Sequence, residues 1–188
     1  MAVDTTKLRA YSNGLVAVSG FGVVNPTLPV DGTTALNSSI YKDVGCITDD
    51  GITDTTNQDF TDVFAWQGNA LVASLPGQFT KTFKFAASET NGVTLAVQYG
   101  GSTLTQLGNG ISVAEKPPVK DVRTWVFHGI SDSGKLQRIV VPLGQVSNRG
   151  DVVWKSTDLT VYEWEVKCFL DASGNVAYRY FVDSTLTL

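Results

Sequence analysis

Apolar and polar positions alternate most cleanly near the C-terminus. Within Leu159–Val182, Tyr162, Trp164, Val166, Cys168 and Leu170 fall on one face of an extended strand, and Glu163, Glu165 and Lys167 on the other. Residues two apart share a face of a strand, so the pattern describes a strand with one buried and one wet side. Asp171–Asn175 supplies turn residues, and Val176, Tyr178, Tyr180 and Val182 resume the alternation. The pattern predicts a long hairpin whose apolar face needs a second sheet to cover it.

The rest of the chain reads as further short strands. Leu15–Val18 and Phe21–Val24 are apolar and separated by Ser19-Gly20. Residues 25–41, with Pro26, Pro29 and Asp31-Gly32, predict a long loop or extended arm. Asp43–Thr48 is a strand broken at Asp49-Asp50-Gly51, followed by a protruding loop whose aromatic end is Phe60, Phe64 and Trp66. Leu71–Leu75 and Gln78–Ala86 are strands around Pro76-Gly77. Ser88–Tyr99 fits two readings. Ser88 and Gly100-Gly101 suit the ends of a helix, whereas Val93, Leu95, Val97 and Tyr99 alternate as in a strand. Short strands follow near Ile111–Ala114, at Arg123–Ile130, at Leu136–Val141 and at Gln145–Trp154. About ten short strands punctuated by turns imply one all-β domain, a sandwich or barrel, spanning residues 1–188.

Composition sharpens this picture. Charged residues are 17% of the chain, against roughly 25% in ordinary soluble domains. Such a surface suits a chain that neighbours cover, and equally a large monomeric sandwich. The net charge of −4 argues against a nucleic-acid binder, which needs a basic face. Six Asp and one Lys fall between Lys42 and Asp62, so one segment carries nearly all the imbalance. Cys46 and Cys168 both lie on apolar strand faces, which predicts buried free thiols. No apolar run reaches the length of a membrane span.

Catalytic patterns are missing, and no cofactor or metal is expected. His128 is the only histidine, there is no G-x-S-x-G elbow, and neither cysteine has metal-ligand spacing. Glu163 and Glu165 read as a solvated strand face rather than a glycosidase pair. Arg149-Gly150-Asp151 spells an adhesion tripeptide, but its glycine suits a bulge or turn. Four tryptophans suit core packing, with one or two left for subunit contacts.

Several blocks nevertheless recur in a known order. They are Lys42–Ile52, Ala65-Trp66-Gln67-Gly68, Glu89-Thr90-Asn91 with Leu95 and Tyr99-Gly100, and Arg123–Phe127. After them come Arg138–Pro142, Gly150–Val153, Leu159, Tyr162-Glu163 and Asp171–Gly174. In this arrangement the chain resembles the major tail tube proteins of long-tailed, non-contractile (siphovirus-type) bacteriophages, especially those infecting actinobacteria. Thr90 and Gly92 make its third block less helical than that family's usual segment.

The resemblance implies a two-sheet β-sandwich with one flanking α-helix over residues 88–99. It implies a structural, non-enzymatic virion subunit made in the host cytoplasm. Six copies would close into a ring, and rings would stack into the tube through which DNA leaves without specific binding. Partners would be further copies and the tape-measure, tail-terminator and distal tail proteins. An N-terminal arm, residues 1–41, and the loop 54–65 would reach neighbours. Asp54, Asp59, Phe60, Asp62, Phe64 and Trp66 are the expected contacts, with Lys81, Lys84 or the Lys116–Arg123 patch as acceptors. Carboxylates facing the channel would repel phosphates. The competing readings are a monomeric β-sandwich that binds carbohydrate or a receptor through exposed Trp, and another virion structural protein.

Overall fold

A computed structural model describes residues 4–24 and 26–186. After a short 3-10 turn at Thr5–Lys7 come β1 (Tyr11–Val18), β2 (Lys42–Asp43), β3 (Ile47–Phe64) and β4 (Leu71–Ala87). The helix α1 (Gly92–Gln98) follows, then β5 (Thr103–Leu107), β6 (Gly110–Ala114), β7 (Val122–Ser131), β8 (Leu136–Arg149), β9 (Tyr162–Phe169) and β10 (Tyr178–Val182). The chain is mainly β, with two sheets. The large antiparallel one runs β2-β1-β7-β8-β9-β4-β3, with β10 also on β8, and β5–β6 is a separate hairpin.

The large sheet folds over on itself to make a sandwich. Phe83 of β4 stacks on Phe127 of β7 at 4.7 Å between centroids, although β4 and β7 are not neighbours in the sheet. Phe85 packs edge-on to Trp125, Phe127 and Trp164. The fold line runs along β8. One end of β8 pairs with β10, the other with β9, and both pairings use the edge opposite β7. A bulge at Trp125 opposite Val141 lets Pro142 sit in a central strand, where the missing N–H would otherwise break the ladder. At the fold only glycine fits. A Cβ on Gly144 would lie 2.5 Å from Trp125 Cδ1.

The alternation read in β9 holds. Tyr162, Trp164, Val166 and Cys168 are buried, and the thiol of Cys168 is pushed up to about 12 by that burial. Each fully buried large side chain stabilises the fold by roughly 1.5–3 kcal/mol. The expected β9–β10 hairpin is corrected. Both strands run antiparallel to β8, so they run in the same direction as each other. Asp171 accepts the N–H groups of Ser173 and Asn175, closing a small loop that returns the chain to its original heading. Cys46, expected inside, is exposed. Phe21–Val24 forms a turn instead of a strand, with the Phe21 ring over the Arg123 guanidinium. The strand expected at Gln145–Trp154 stops at Arg149.

Residues 26–41 are not a free arm in this subunit. Leu28, Leu36 and Tyr41 pack with Val126 and Val140 on the outer face of β1, β7 and β8. Arg138 holds the segment by donating to the carbonyls of Asp31 and Thr34.

The helix is shorter than residues 88–99. Ser88 remains in the strand connection, donating its N–H to the Cys46 carbonyl. Asn91 is the N-cap instead, accepting from the N–H groups of Val93 and Thr94 at 2.9 Å. At the far end Arg123 Nη2 donates to Ala96 O at 2.8 Å, Arg149 donates to Val97 O, and Trp164 Nε1 donates to Gln98 Oε1. Arg149 of the Arg-Gly-Asp tripeptide is therefore used inside the fold. Arg123 is itself buried and paired with buried Asp121. Removing one member of such a pair leaves an uncompensated charge. Arg123→Ala is expected to lower stability by about 3–5 kcal/mol, measured as a shift in the urea midpoint. A shift within error would mean that the helix end is held by other contacts.

Candidate functional site

The sandwich accounts for only the first half of β3 and the second half of β4. These strands, 18 and 17 residues long, continue past the core as a two-stranded arm. The core row Phe85–Phe83 ends at a charged cluster. Lys81 lies over the Phe83 ring and pairs with Asp54, donating also to Thr56 Oγ1. Arg179 of β10 reaches the same carboxylate across the sandwich. Burial raises the Asp54 pKa, but hydrogen bonds and charge from Lys81 and Arg179 outweigh it and hold the carboxyl below its usual 3.8.

Beyond this cluster no described part of the chain covers the arm. Phe60, Phe64, Leu71, Val72, Leu75 and Phe79 are exposed, and Trp66 in the connecting turn is 98% exposed. Contiguous apolar surface of this kind marks an interaction site. Pro76 and Gly77 do not end a strand. They form a bulge where β4 spends one more residue than β3 between the Gln58–Phe79 and Phe60–Pro76 pairs.

Both ends of the sheet are open. Among the described residues β3 pairs only with β4, and β2 together with Val44, whose N–H donates to Val16 O, covers only Val16–Val18 of β1. The free edges form the lips of a cleft of about 670 Å³, with Phe83, Phe127 and Ile139 lining it. One sheet face is also bare. Thr53, Thr55, Thr82, Lys84, Glu163, Glu165 and Lys167 share it by register, and Lys84 pairs with Glu163.

Nothing in this arrangement points to catalysis. No cluster of three His, Cys, Asp or Glu side chains suits a metal ion among the described residues. Burial, and then Arg138, push the His128 imidazole below its usual pKa, and Arg138 Nε lies 3.4 Å from its Nδ1. His128 is a neutral structural group.

Residues 1–183 match the model of the phage tail tube protein family. The chain belongs to that family. It is a structural subunit of a phage tail tube, located in the virion tail, and it assembles with copies of itself and other tail proteins. Among solved structures it is similar to a chain of the sheath–tube complex of an extracellular contractile injection system, PVC, in the extended state. The identity is 13%, the TM-score 0.49, and the match covers 95% of this chain and 98% of that one. None of the curated proteins compared with the chain matches it.

The expected contact residues of this tail tube subunit separate into two groups. Asp59, Phe60, Asp62, Phe64 and Trp66 lie together on the arm. Asp54 stands apart at its root, engaged within its own chain. The segment 54–65 is a strand and turn, not a loop, because β4 offers it a continuous partner. Among the proposed acceptors, Lys81 belongs to Asp54, Lys84 to Glu163 and Arg123 to Asp121. Leu71, Val72, Leu75 and Phe79 were missed as site residues. The signal was present: Leu71-Val72 and Leu75 do not alternate with polar residues, so the strand is apolar on both faces.

A carboxyl whose folded pKa lies below its unfolded value contributes stability that is complete above the unfolded pKa. That contribution is lost as pH falls through the folded value. The share from Asp54 is therefore present at neutral pH and disappears below 3.8. Asp54→Asn is expected to cost roughly 1–3 kcal/mol at pH 7 and to converge with wild type as pH falls through the lowered folded value. Asp31, Asp171 and Asp183, held low by their own hydrogen bonds, keep the remaining acid sensitivity in both proteins. Urea unfolding across that range measures the difference, and a constant gap at all pH values would refute the assignment.

Proposed function

We propose that six copies close into a ring, that rings stack, and that genomic DNA leaves through the resulting channel of a long-tailed, non-contractile phage. The observation that carries this reading is the combination of two open sheet edges with an apolar arm that no described part of the same chain covers. An exposed edge templates pairing with another chain, and closure into a barrel removes it. The ordered sequence blocks support the non-contractile class, with tape-measure, tail-terminator and distal tail proteins as the other partners and assembly in the host cytoplasm.

The arm lies on an adjacent ring. Its carboxylates without a cation partner among the described residues, Asp59 and Asp62, face the exposed Lys116 and Lys120 of that neighbour, the lysines that remain once the paired cations are set aside. Negative-stain microscopy tests both steps. Wild-type protein at high concentration is expected to form tubes, and Asp59→Lys with Asp62→Lys to leave folded subunits without them. Wild-type protein that stays as single compact particles would overturn the reading, and normal tubes from the double variant would remove the arm from the ring contact.

The bare face of β9, β4 and β3 lines the channel. Its threonines and charged groups offer nothing apolar for a protein partner to bury. The opposite side of the subunit carries the second layer and residues 26–41, and that bulk fits only on the outside of a closed barrel. The acidic run therefore does not coat the channel. Glu163 and Glu165 interleave there with Lys84 and Lys167, so neither charge sign dominates. Glu163→Gln with Glu165→Gln would leave two lysines per subunit facing phosphate. DNA ejection from such virions is expected to slow several-fold, most at low salt, where phosphate contacts are least screened. Unchanged release kinetics would place another face in the channel.

A further inference from the structure

The connection between β8 and β9 behaves unlike the other segments. Its residues Val152-Val153-Trp154 are β-branched and aromatic, the composition that fits a pleated strand. They nevertheless form no strand here, and among the described residues the backbone groups of 151–157 make no hydrogen bond within the chain. Val152 is anchored against the main core. Trp154 then projects at 86% exposure, with Lys155 exposed beside it. A segment with strand composition, no backbone partner and a bare tryptophan is poised to add to a sheet edge.

The cleft between β1 and β3 has the matching properties. Its lips are unpaired strand edges; the buried Phe83, Phe127 and Ile139 border it, and its more accessible apolar lining is Tyr11, Ile47 and Ile52. Asp49 and Asp50 stand exposed at its β3 lip, and neither is paired with a cation among the described residues. Two exposed tryptophans compete for the site. Trp66 is approached through the acidic Asp59 and Asp62, which would meet Asp49 and Asp50 with like charge. Trp154 is followed by Lys155, which meets them with opposite charge, and Asp151 is held back with its own subunit by the anchored Val152 that separates it from the projecting residues. Like-charge contact is what excludes a wrong partner.

We propose that the cleft of each subunit receives Val153, Trp154 and Lys155 of a second copy. Trp154 fills the apolar lining, Lys155 meets Asp49 and Asp50, and the segment's backbone pairs with the open β3 edge. The contact is heterologous, since the inserted segment and the receiving cleft are different parts of one chain. This deepens the reading of the chain as a self-assembling tube subunit and rests on it.

The test uses the full chain and counts tubes by negative stain and by pelleting, with near-UV circular dichroism to confirm folding. Trp154→Ser, Lys155→Asp, and Asp49→Lys with Asp50→Lys are each expected to stay folded and to lose pelletable tubes. Combining Lys155→Asp with both lysine substitutions restores the opposite charges across the contact, so tubes are expected to return. The proposal is overturned if Trp154→Ser assembles like wild type, or if the combined variant assembles no better than its parents. It is also overturned if Trp66→Ser, and not Trp154→Ser, abolishes assembly, because the arm's turn would then be the occupant. Wild-type protein that forms no tubes would instead count against the tube reading itself, so the two failures are distinguishable.

Discussion

The edge of a β-sheet is a row of N–H and C=O groups with no partner, and this chain leaves two such rows open. Among the described residues β3 has a partner on one side only, and β1 is covered on its outer side only at Val16–Val18. Stable monomers blunt their edges with short strands, inward charges or a covering loop. Here the residues available for covering are used elsewhere. The segment 26–41 lies on a sheet face, and the helix closes one end of the core through Val93 and Val97. The apolar arm extends the same problem beyond the body. Both features have one solution, which is another copy of the chain.

Charge placement follows from the same constraint. The acidic run in the sequence is dispersed by the fold into three settings. Asp54 neutralises two cations where the core ends, Asp49 and Asp50 stand at the cleft, and Asp59 and Asp62 flank the apolar residues of the arm. Asp54 serves the subunit's own stability, as does Asp43, the sixth Asp of the run, which accepts the Gly45 N–H. Carboxylates beside an exposed apolar strand discourage indiscriminate edge-to-edge pairing while the subunit is free. They demand no loss of apolar contact once the right partner arrives.

Period-2 alternation made β9 legible because its two faces meet different environments, core on one side and water on the other. The same signal failed for the β9–β10 connection, since alternation reports faces and says nothing about direction. A turn sequence such as Asp171–Asn175 reverses a strand or merely loops out of it, and only the long-range pairing with β8 decides. Pro76-Gly77 was read as a break between two strands, yet Pro76 sits beside a bulge inside one long strand, as Pro142 does in β8. The helix was legible in kind but not in extent. Ser88 and Asn91 are both capping residues, and the choice fell to Asn91 because its side-chain amide also reaches the Val44 carbonyl. The arm was read as a loop because Asp54–Asp59 is polar throughout. A strand that is wet on both faces carries no alternation to detect.

The contrast between the tryptophans shows how the subunit divides its apolar residues. Trp125 and Trp164 are fully buried and hold the two layers together, whereas Trp66 and Trp154 are almost wholly bare. A bare tryptophan on one part of a molecule and an apolar cleft on another make a contact that cannot satisfy itself within a pair. Each pairing leaves one knob and one cleft unused. Such heterologous contacts close only when the rotation between copies divides a full turn, and otherwise they continue as open filaments. A tube needs both behaviours, closure around the axis and continuation along it. Two structurally distinct protrusions, the β3–β4 arm and the β8–β9 connection, give one chain the means to supply each.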